Sequence, residues 1–279
     1  MRTSPSPRRG ASAPRPTPPI PPARPFWSYV VPMLVLAAIA VAVSALPASL
    51  AARFLPAAVH AEDFSGTIWH GSAGRVTVNA RDAGSVEWRL RPKALLRLRV
   101  AANVRWVRGG FALDGAATLG RNQVSVSGVK GGGSIEDLRG LGLPLQWRGS
   151  AQIDINELRA AFSGAAFSLQ AAVGDIEVSD LSIPQVAQGA NLGGYSLRFA
   201  EPALGPDSDA TAQITDTGGP LMVEALTHFS ARQRSVMLSG TVMARADAPP
   251  ALRSELDDLA RMHARDAQGR IPVDFEFTY

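Results

Sequence analysis

Apolar and polar residues alternate with a period of two through most of the chain after residue 64, and this pattern constrains the fold more than any other feature. Val86, Trp88 and Leu90, for example, alternate with charged residues. Successive side chains of a β-strand point to opposite faces of a sheet, so each such run predicts a strand with one apolar and one polar face, and Trp88 is expected inside. The pattern predicts further strands around residues 96–100, 124–126, 153–155, 176–178, 221–229, 236–242 and 273–277.

Glycine-rich stretches separate the predicted strands, which favours short connections between antiparallel neighbours. The sequence therefore predicts a mainly β fold with an antiparallel, curved sheet and one or two short helices. One helix is predicted to begin at Ser134, and the other to cover about residues 251–262. The three glycines at 131–133 are interpreted as a flexible hairpin loop. A domain boundary near residues 140–144 is an alternative, but one continuous sheet buries more surface than two small open sheets.

An uncharged apolar run covers residues 26–46. A helix of this length, at about 1.5 Å per residue, spans roughly the 30 Å hydrocarbon core of a bilayer. Trp27 and Tyr29 stand where aromatic residues of a membrane interface are expected, and Pro47 marks the predicted end. The predicted organisation is a disordered Pro/Arg-rich tail at 1–25, a transmembrane helix at 26–47 and a β-rich domain at 48–279.

Arginines flank only the N-terminal side of the apolar run, so the positive-inside rule predicts a cytoplasmic tail and a β domain on the other side of the membrane, which in a Gram-negative cell is the periplasm. Five arginines lie in the tail, which has no acidic residue, and removing their charges from the formal net charge of +4 leaves about −1. The basicity therefore belongs mostly to the tail, and no nucleic-acid partner is predicted. A cleaved signal peptide that ends near Ser49 and Ala51 is the alternative to an anchor.

The sequence completes no familiar catalytic or metal-binding pattern. It contains no cysteine, which excludes disulfides, thiolate metal sites and cysteine nucleophiles. Its four histidines are far apart and form no metal-binding motif: His60, His70, His228 and His263. We therefore predict a protein with no enzymatic activity, no cofactor and no metal.

Arginines and tryptophans are concentrated between residues 89 and 108. Arg97, Arg99 and Trp106 in this stretch, together with Trp69, are predicted to contact a partner, because Trp and Arg are enriched at interfaces. An anionic lipid surface is another partner that such a basic stretch would fit. The simpler alternative is that these residues form the solvated side of a strand pair.

Three stretches, in order, resemble the type II secretion system protein N family. Residues 66–73, GTIWHGSA, are similar to the family's early strand and turn. Residues 86–92, VEWRLRP, followed by Leu95 and Leu96, are similar to its W-x-L-x-P-x-x-L-L segment. Residues 265–270, RDAQGR, ahead of the terminal strand at 273–279, are similar to its D-x-x-G-R ending. With the preceding apolar run, the resemblance spans roughly residues 26–279.

The resemblance implies an inner-membrane, non-enzymatic accessory of the apparatus that moves folded proteins from the periplasm through the outer membrane. The implied partners are other inner-membrane components of that machinery. A second class stays open, because a curved sheet with one apolar face could hold lipid, as in AsmA-like and lipopolysaccharide-bridge proteins. Helices that fill the apolar face would favour the scaffold. A membrane-anchored hydrolase is a third alternative, for which no residue set stands out.

Overall fold

The computed structural model describes residues 44–55, 57–141, 146–163, 166–205, 209–230 and 235–278. The predicted tail at 1–25 lies outside these residues, as does the predicted transmembrane helix up to residue 43, with Trp27 and Tyr29. Within the described ranges, no helix is long and apolar enough to span a bilayer. Residues Ser44–Tyr279 form one compact unit.

One antiparallel sheet dominates this unit, and its strands pair in the order in which they occur along the chain. The prediction of a mainly β, antiparallel and curved sheet is confirmed. A single sheet also continues past residues 140–144, where a domain boundary was the alternative. In the described residues the strands are β1 (Val59–Gly66), β2 (His70–Val78), β3 (Arg81–Leu90), β4 (Val100–Arg108), β5 (Phe111–Leu119), β6 (Gln123–Ser134), β7 (Arg148–Ser163), β8 (Ala166–Ser182), β9 (Asn191–Glu201), β10 (Ala210–Gly218), β11 (Leu221–Ser230), β12 (Ser235–Ala244) and β13 (Ile271–Thr278).

Helical segments in the described residues are short. The helix predicted at 251–262 is confirmed as an α-helix that buries Leu252 and Leu256. The helix predicted from Ser134 is a single 3-10 turn, and the Ser134 side chain bonds to Glu136 and does not cap the backbone. The α-helices are α1 (Pro92–Leu95) and α2 (Pro250–Met262), and the 3-10 helices are Ala48–Phe54, Ile135–Leu138 and Ala187–Gly189.

The strand predicted at residues 96–100 is wrong for its first four residues, because β4 begins only at Val100. Pro92 instead begins α1, a position where its missing N–H is tolerated. The chain then continues as a loop up to Arg99. The alternation of leucine and arginine in this stretch therefore belongs to a loop with both residue types exposed.

The three glycines at 131–133 lie inside β6, so their interpretation as a hairpin loop is also wrong. Gly133 has a φ of 155°, and a Cβ built on it would lie 2.6 Å from the Cα of Phe111 on the neighbouring strand. Glycine is required there because the backbones of β5 and β6 approach closely. Composition alone does not distinguish this requirement from the flexibility of a turn.

Directly paired residues of neighbouring strands share a face, and the pairing gives the sheet an apolar and a polar face. The apolar face contains a row that crosses β3 to β10: Val86, Trp106, Leu113, Gly131, Ile153, Ile176, Leu197 and Ile214. The polar face contains an adjacent row that crosses β3 to β9: Glu87, Arg105, Asp114, Lys130, Asp154, Asp175 and Arg198. These rows account for the period-two alternation of the sequence.

The two ends of the strands differ in what lies beside them. We call the end with Leu46, the β1–β2 turn and the β3–β4 loop the proximal end, and the opposite one, with α2, the distal end. Two hydrophobic cores of the described residues lie on the apolar face toward the distal end. One includes Phe111, Ile135 and Ala151, and the other lies under α2 and includes Leu192, Leu221, Leu252, Leu256 and Ile271.

Candidate contact surfaces

The chain joins the sheet at the proximal end, directly after the apolar run. The carbonyl oxygen of Leu46 accepts a hydrogen bond from Ile68 N at 2.9 Å, and Pro47 forms a β-bridge with Thr67. Ala48, the next residue, is buried. The β1–β2 turn is therefore tied to the residues in which the apolar run ends.

Trp88 of β3 packs against this turn. Its Nε1 donates a hydrogen bond to Ile68 O at 2.9 Å, and its ring meets Phe64 edge-on with the centroids 6.4 Å apart. Gly71 stands directly opposite Trp88 on β2, where a Cβ would come within 2.7 Å of the indole ring. Trp88 is half-buried on the apolar face, the face that its alternation with charged residues predicts.

The β3–β4 loop, residues 91–99, leaves the sheet at the proximal end and has a defined backbone. Arg99 N donates to Ala94 O at 3.2 Å, and Leu98 N donates to Leu95 O at 2.9 Å, which together form a Schellman-type turn after α1. Leu98 occupies the left-handed position of this turn with a φ of 54°, where glycine is usual. The turn therefore fixes the direction in which the loop presents its side chains.

The side chains of this loop are apolar and basic. Leu96 is 87% exposed and Leu98 is 91% exposed, which are the largest values for large hydrophobic residues in the described part of the chain. No acidic residue occurs in the sequence between Glu87 and Asp114. The exposed basic residues of the loop are Arg91, Lys93, Arg97 and Arg99.

Trp106 is engaged within the protein. Its Nε1 donates to a backbone carbonyl of β3 at 2.6 Å, and its ring packs against Phe111 with the centroids 5.9 Å apart. Arg105, its neighbour, pairs across the strands with Glu87 and Asp114 on the polar face. This part of the basic stretch is thus balanced by carboxylates within the sheet.

Opposite charges are paired along much of the polar-face row, but Asp154 and Asp175 stand directly opposite each other. Each has a cation of its own: Lys130 Nζ lies 2.8 Å from Asp154 Oδ2, and Arg198 Nε donates to Asp175 Oδ1 at 2.7 Å. The hydrogen bond to Asp175 and the charge of that carboxylate raise the pKa of Arg198. The two cations offset the repulsion between the facing carboxylates, so the row is a charge network on the surface of the sheet.

The sheet is open, and β1 and β13 are its edge strands in the described residues. β1 contains Asp63 with a φ of 55°, which departs from extended geometry. β13 pairs with β12 along its whole length, and it contains Pro272, a residue type that sheets tolerate at edges. Phe275 on this strand is 50% exposed. The outer backbone groups of β13 are a template to which another strand can add.

Three of the four residues predicted to contact a partner lie at the proximal end. Trp69 is half-buried in the β1–β2 turn, and Arg97 and Arg99 are exposed in the β3–β4 loop, whereas Trp106 lies with the core toward the distal end. Sequence reasoning missed the exposed leucines of the loop, because it assigned them to a strand. Pro92, a favoured first residue of a helix, was the signal that could have identified the loop.

Comparison with known proteins agrees with the three resembling stretches. The model of the family described as Type II secretion system (T2SS), protein N, matches residues 57–274, which is most of the chain. No curated protein and no solved structure matches the chain significantly. The matched range covers the sheet from the residues before β1 into β13, and it includes both the β3–β4 loop and α2. The chain therefore belongs to the type II secretion system protein N family.

Proposed function

We propose that this protein is a non-enzymatic accessory component of the type II secretion system, anchored in the inner membrane, which binds other inner-membrane components of the machinery in the periplasm. The family match over residues 57–274 is the observation that carries the proposal. The open sheet supports a binding role, because it offers an accessible face and edges on one continuous scaffold.

The proposed anchor is the apolar run at residues 26–46, with Trp27 and Tyr29 at the membrane interface. Its uncharged length suits a bilayer, and the arginines on its N-terminal side favour a cytoplasmic tail and a periplasmic sheet. Leu46 and Pro47, where this run ends, are bonded to Ile68 and bridged to Thr67 of the β1–β2 turn.

We place the protein contact at the edge strand β13. This strand is paired on one side only, it is regular over its full length, and it includes the half-exposed Phe275. A partner strand would gain backbone hydrogen bonds along the edge, and side-chain contacts would give specificity. The third stretch of family resemblance, residues 265–270, leads directly into this strand.

A lipid-handling role receives less support. Helix α2 packs over β12 and β13 with Leu252 and Leu256 buried, and the 3-10 helix Ile135–Leu138 packs Ile135 against Phe111. Helical segments thus fill the apolar face toward the distal end, where an acyl chain would otherwise find the deepest cover.

The test is purification of the affinity-tagged full chain in mild detergent, with mass spectrometry of both the proteins and the lipids that co-purify. We expect inner-membrane secretion components at near-stoichiometric levels and no single lipid bound at a comparable level. A defined lipid on a chain that carries no partner would overturn the scaffold in favour of lipid binding.

The same purification tests individual surfaces. Phe275→Asp on β13 should lose a partner, whereas Met262→Asp at the end of α2, where Met262 is 73% exposed, should not. Of the residues first predicted to contact a partner, Trp69, Arg97, Arg99 and Trp106, the two arginines are tested in parallel by the double charge reversal Arg97→Glu with Arg99→Glu. An unchanged set of partners in that variant would rule these arginines out as protein contacts.

A further inference from the structure

We propose that the β3–β4 loop lies in the surface of the bilayer that holds the apolar N-terminal run, with its leucines among the lipid chains and its basic residues at anionic phospholipid headgroups. This inference rests on the membrane anchoring proposed above, but it requires no protein partner. It assigns to residues 91–99 a lipid contact that is distinct from the β13 edge.

The position of the loop is the first argument. Ile68 N donates to Leu46 O at 2.9 Å, and Leu90 N donates to Trp69 O at 2.8 Å. The first bond ties the β1–β2 turn to the end of the apolar run, and the second ties the same turn to the last residue of β3. The β1–β2 turn therefore connects the start of the loop, by two backbone hydrogen bonds, to the point where the chain would leave the bilayer.

The second argument is the exposed apolar surface at this end. Leu95, Leu96 and Leu98 are all exposed in the loop, and Val100 and Leu119, which pair directly where β4 begins and β5 ends, are exposed next to it. Soluble proteins seldom leave a continuous group of large apolar side chains in water unless it meets a partner or a membrane. The two hydrophobic cores lie toward the opposite end of the strands and do not cover this group.

The third argument is the backbone of the loop. A leucine with a φ of 54° is sterically disfavoured, and Leu98 is too exposed for packing within the protein to offset that cost. The Schellman-type bonds of Leu98 and Arg99 hold this conformation. The loop thus presents its leucines on a fixed turn and is not a featureless connection.

Charge is the fourth argument, and it selects the kind of surface. Four basic residues surround the leucines, and long Arg and Lys side chains can keep their charge at headgroup level while their stems contact the apolar layer. Glu157 lines a surface depression with Arg99, but it is already paired with Arg159. An anionic bilayer surface matches both the leucines and the uncompensated positive charge.

The absence of cysteine makes site-specific labelling straightforward. The full chain with Leu96→Cys, carrying a nitroxide, is reconstituted into phosphatidylglycerol-containing vesicles and into phosphatidylcholine vesicles. Collisions of the label with oxygen and with a water-soluble nickel chelate report its depth. Arg81→Cys is the control, because Arg81 is exposed at the other end of the same strand that leads into the loop.

We expect the Leu96 label to gain oxygen collisions and to lose nickel collisions relative to the Arg81 label, with a deeper position in the phosphatidylglycerol vesicles. A Leu96 label as accessible to nickel as the Arg81 label, in a chain that floats with the vesicles, would overturn the inference and leave the anchor intact. A chain that does not float would overturn both. If the Leu96 label lies equally deep in both kinds of vesicle, the basic residues do not contribute to binding through anionic headgroups. If the label is exposed to water and the double variant Arg97→Glu with Arg99→Glu loses a protein partner, the inference is wrong and the loop contacts a protein.

Discussion

The indole nitrogen of Trp88 donates a hydrogen bond to the carbonyl oxygen of Ile68 at 2.9 Å. This bond connects two of the stretches in which the chain resembles its family, residues 66–73 and residues 86–92. The Trp88 ring occupies the space above Gly71, which stands opposite it on β2. The two stretches are therefore one packing unit, and that unit holds the β1–β2 turn to which Leu46 is bonded.

Gly71→Ala should destabilise this unit. The added Cβ would lie 2.6 Å from Thr67 O, 2.7 Å from the Trp88 ring and 3.0 Å from the Ala48 Cβ, so backbone or ring must move. Overpacking of this kind costs about 1–3 kcal/mol of unfolding free energy. In a protein of this size, the melting temperature falls by about 2–4 °C for each kcal/mol. Thermal unfolding of the detergent-solubilised full chain measures the change.

Gly120→Ala is the matched control for this substitution. Its new Cβ would meet only Gln123 O at 3.6 Å, an ordinary van der Waals contact. We expect its melting temperature to stay close to that of the wild type. Equal losses in the two variants would show that Trp88 packing is not the cause.

Leu252→Ala tests the α2 core. Leu252 is 2% exposed beneath the helix, and truncation of a buried leucine to alanine costs about 2–5 kcal/mol because it leaves a cavity. Met262→Ala, at the exposed end of the same helix, should change the unfolding free energy by less than about 0.5 kcal/mol. Urea denaturation of both variants gives the comparison. Similar midpoints would mean that α2 contributes little to the stability of the sheet.

The strands were predictable because side-chain alternation is a local signal. At residues 86–90 and 273–277, for example, the alternation shows which face of the sheet each side chain occupies. The short connections between strands indicate that neighbours along the chain pair in antiparallel order. The β3–β4 loop was not predictable from alternation, because Leu96 and Leu98 follow the strand pattern while Pro92 and the turn after α1 decide the backbone. Likewise, the glycines at 131–133 look like a turn until the neighbouring strand is in place.

The candidate site was predictable only in part. Residue type singled out Trp69, Arg97, Arg99 and Trp106, but their grouping depends on the pairing of strands. Hairpin connections bring the first three to the proximal end, whereas the register places Trp106 beside Phe111. Sequence composition contains no information on that register.

Lys130→Gln tests the charge network of the polar face. An exposed ion pair is usually worth at most about 1 kcal/mol, but loss of Lys130 also leaves Asp154 facing Asp175 without its cation. We expect a loss near the upper limit of that range. Arg75→Gln removes a looser exposed pair, 3.7 Å from Glu62, and should cost less.

A double-mutant cycle and a measurement at high salt identify the cause of the stability loss in Lys130→Gln. In an Asp154→Asn background, Lys130→Gln should be nearly neutral, because the like-charge pair no longer exists. High salt should reduce the effect in the native background by screening the carboxylates. An effect that is independent of both Asp154 and salt would indicate that Lys130 stabilises the sheet through its aliphatic stem.

The raised pKa of Tyr195 leads to a prediction of how the stability of the protein changes at alkaline pH. Burial, reinforced by the charge of Asp216, raises the pKa of Tyr195 from 10.0 to about 12. Its hydroxyl donates to Leu192 O at 2.8 Å beside the α2 core. The folded state thus keeps the phenol proton in a pH range where the unfolded chain loses it, so this contribution is fully present below pH 10 and is lost as the pH rises toward 12.

Tyr195→Phe separates this effect from the rest of the chain. The variant should be less stable at neutral pH by about 1 kcal/mol, since the hydrogen bond to Leu192 is lost. Its stability should then fall less steeply than that of the wild type above pH 10, because the group with the raised pKa is gone. Urea midpoints across this range measure the slopes, and the difference between the tyrosinate absorbance curves of the two proteins gives the titration of Tyr195 itself. Parallel slopes, with a difference curve centred at the ordinary tyrosine pKa, would contradict the burial of this phenol in the native sheet.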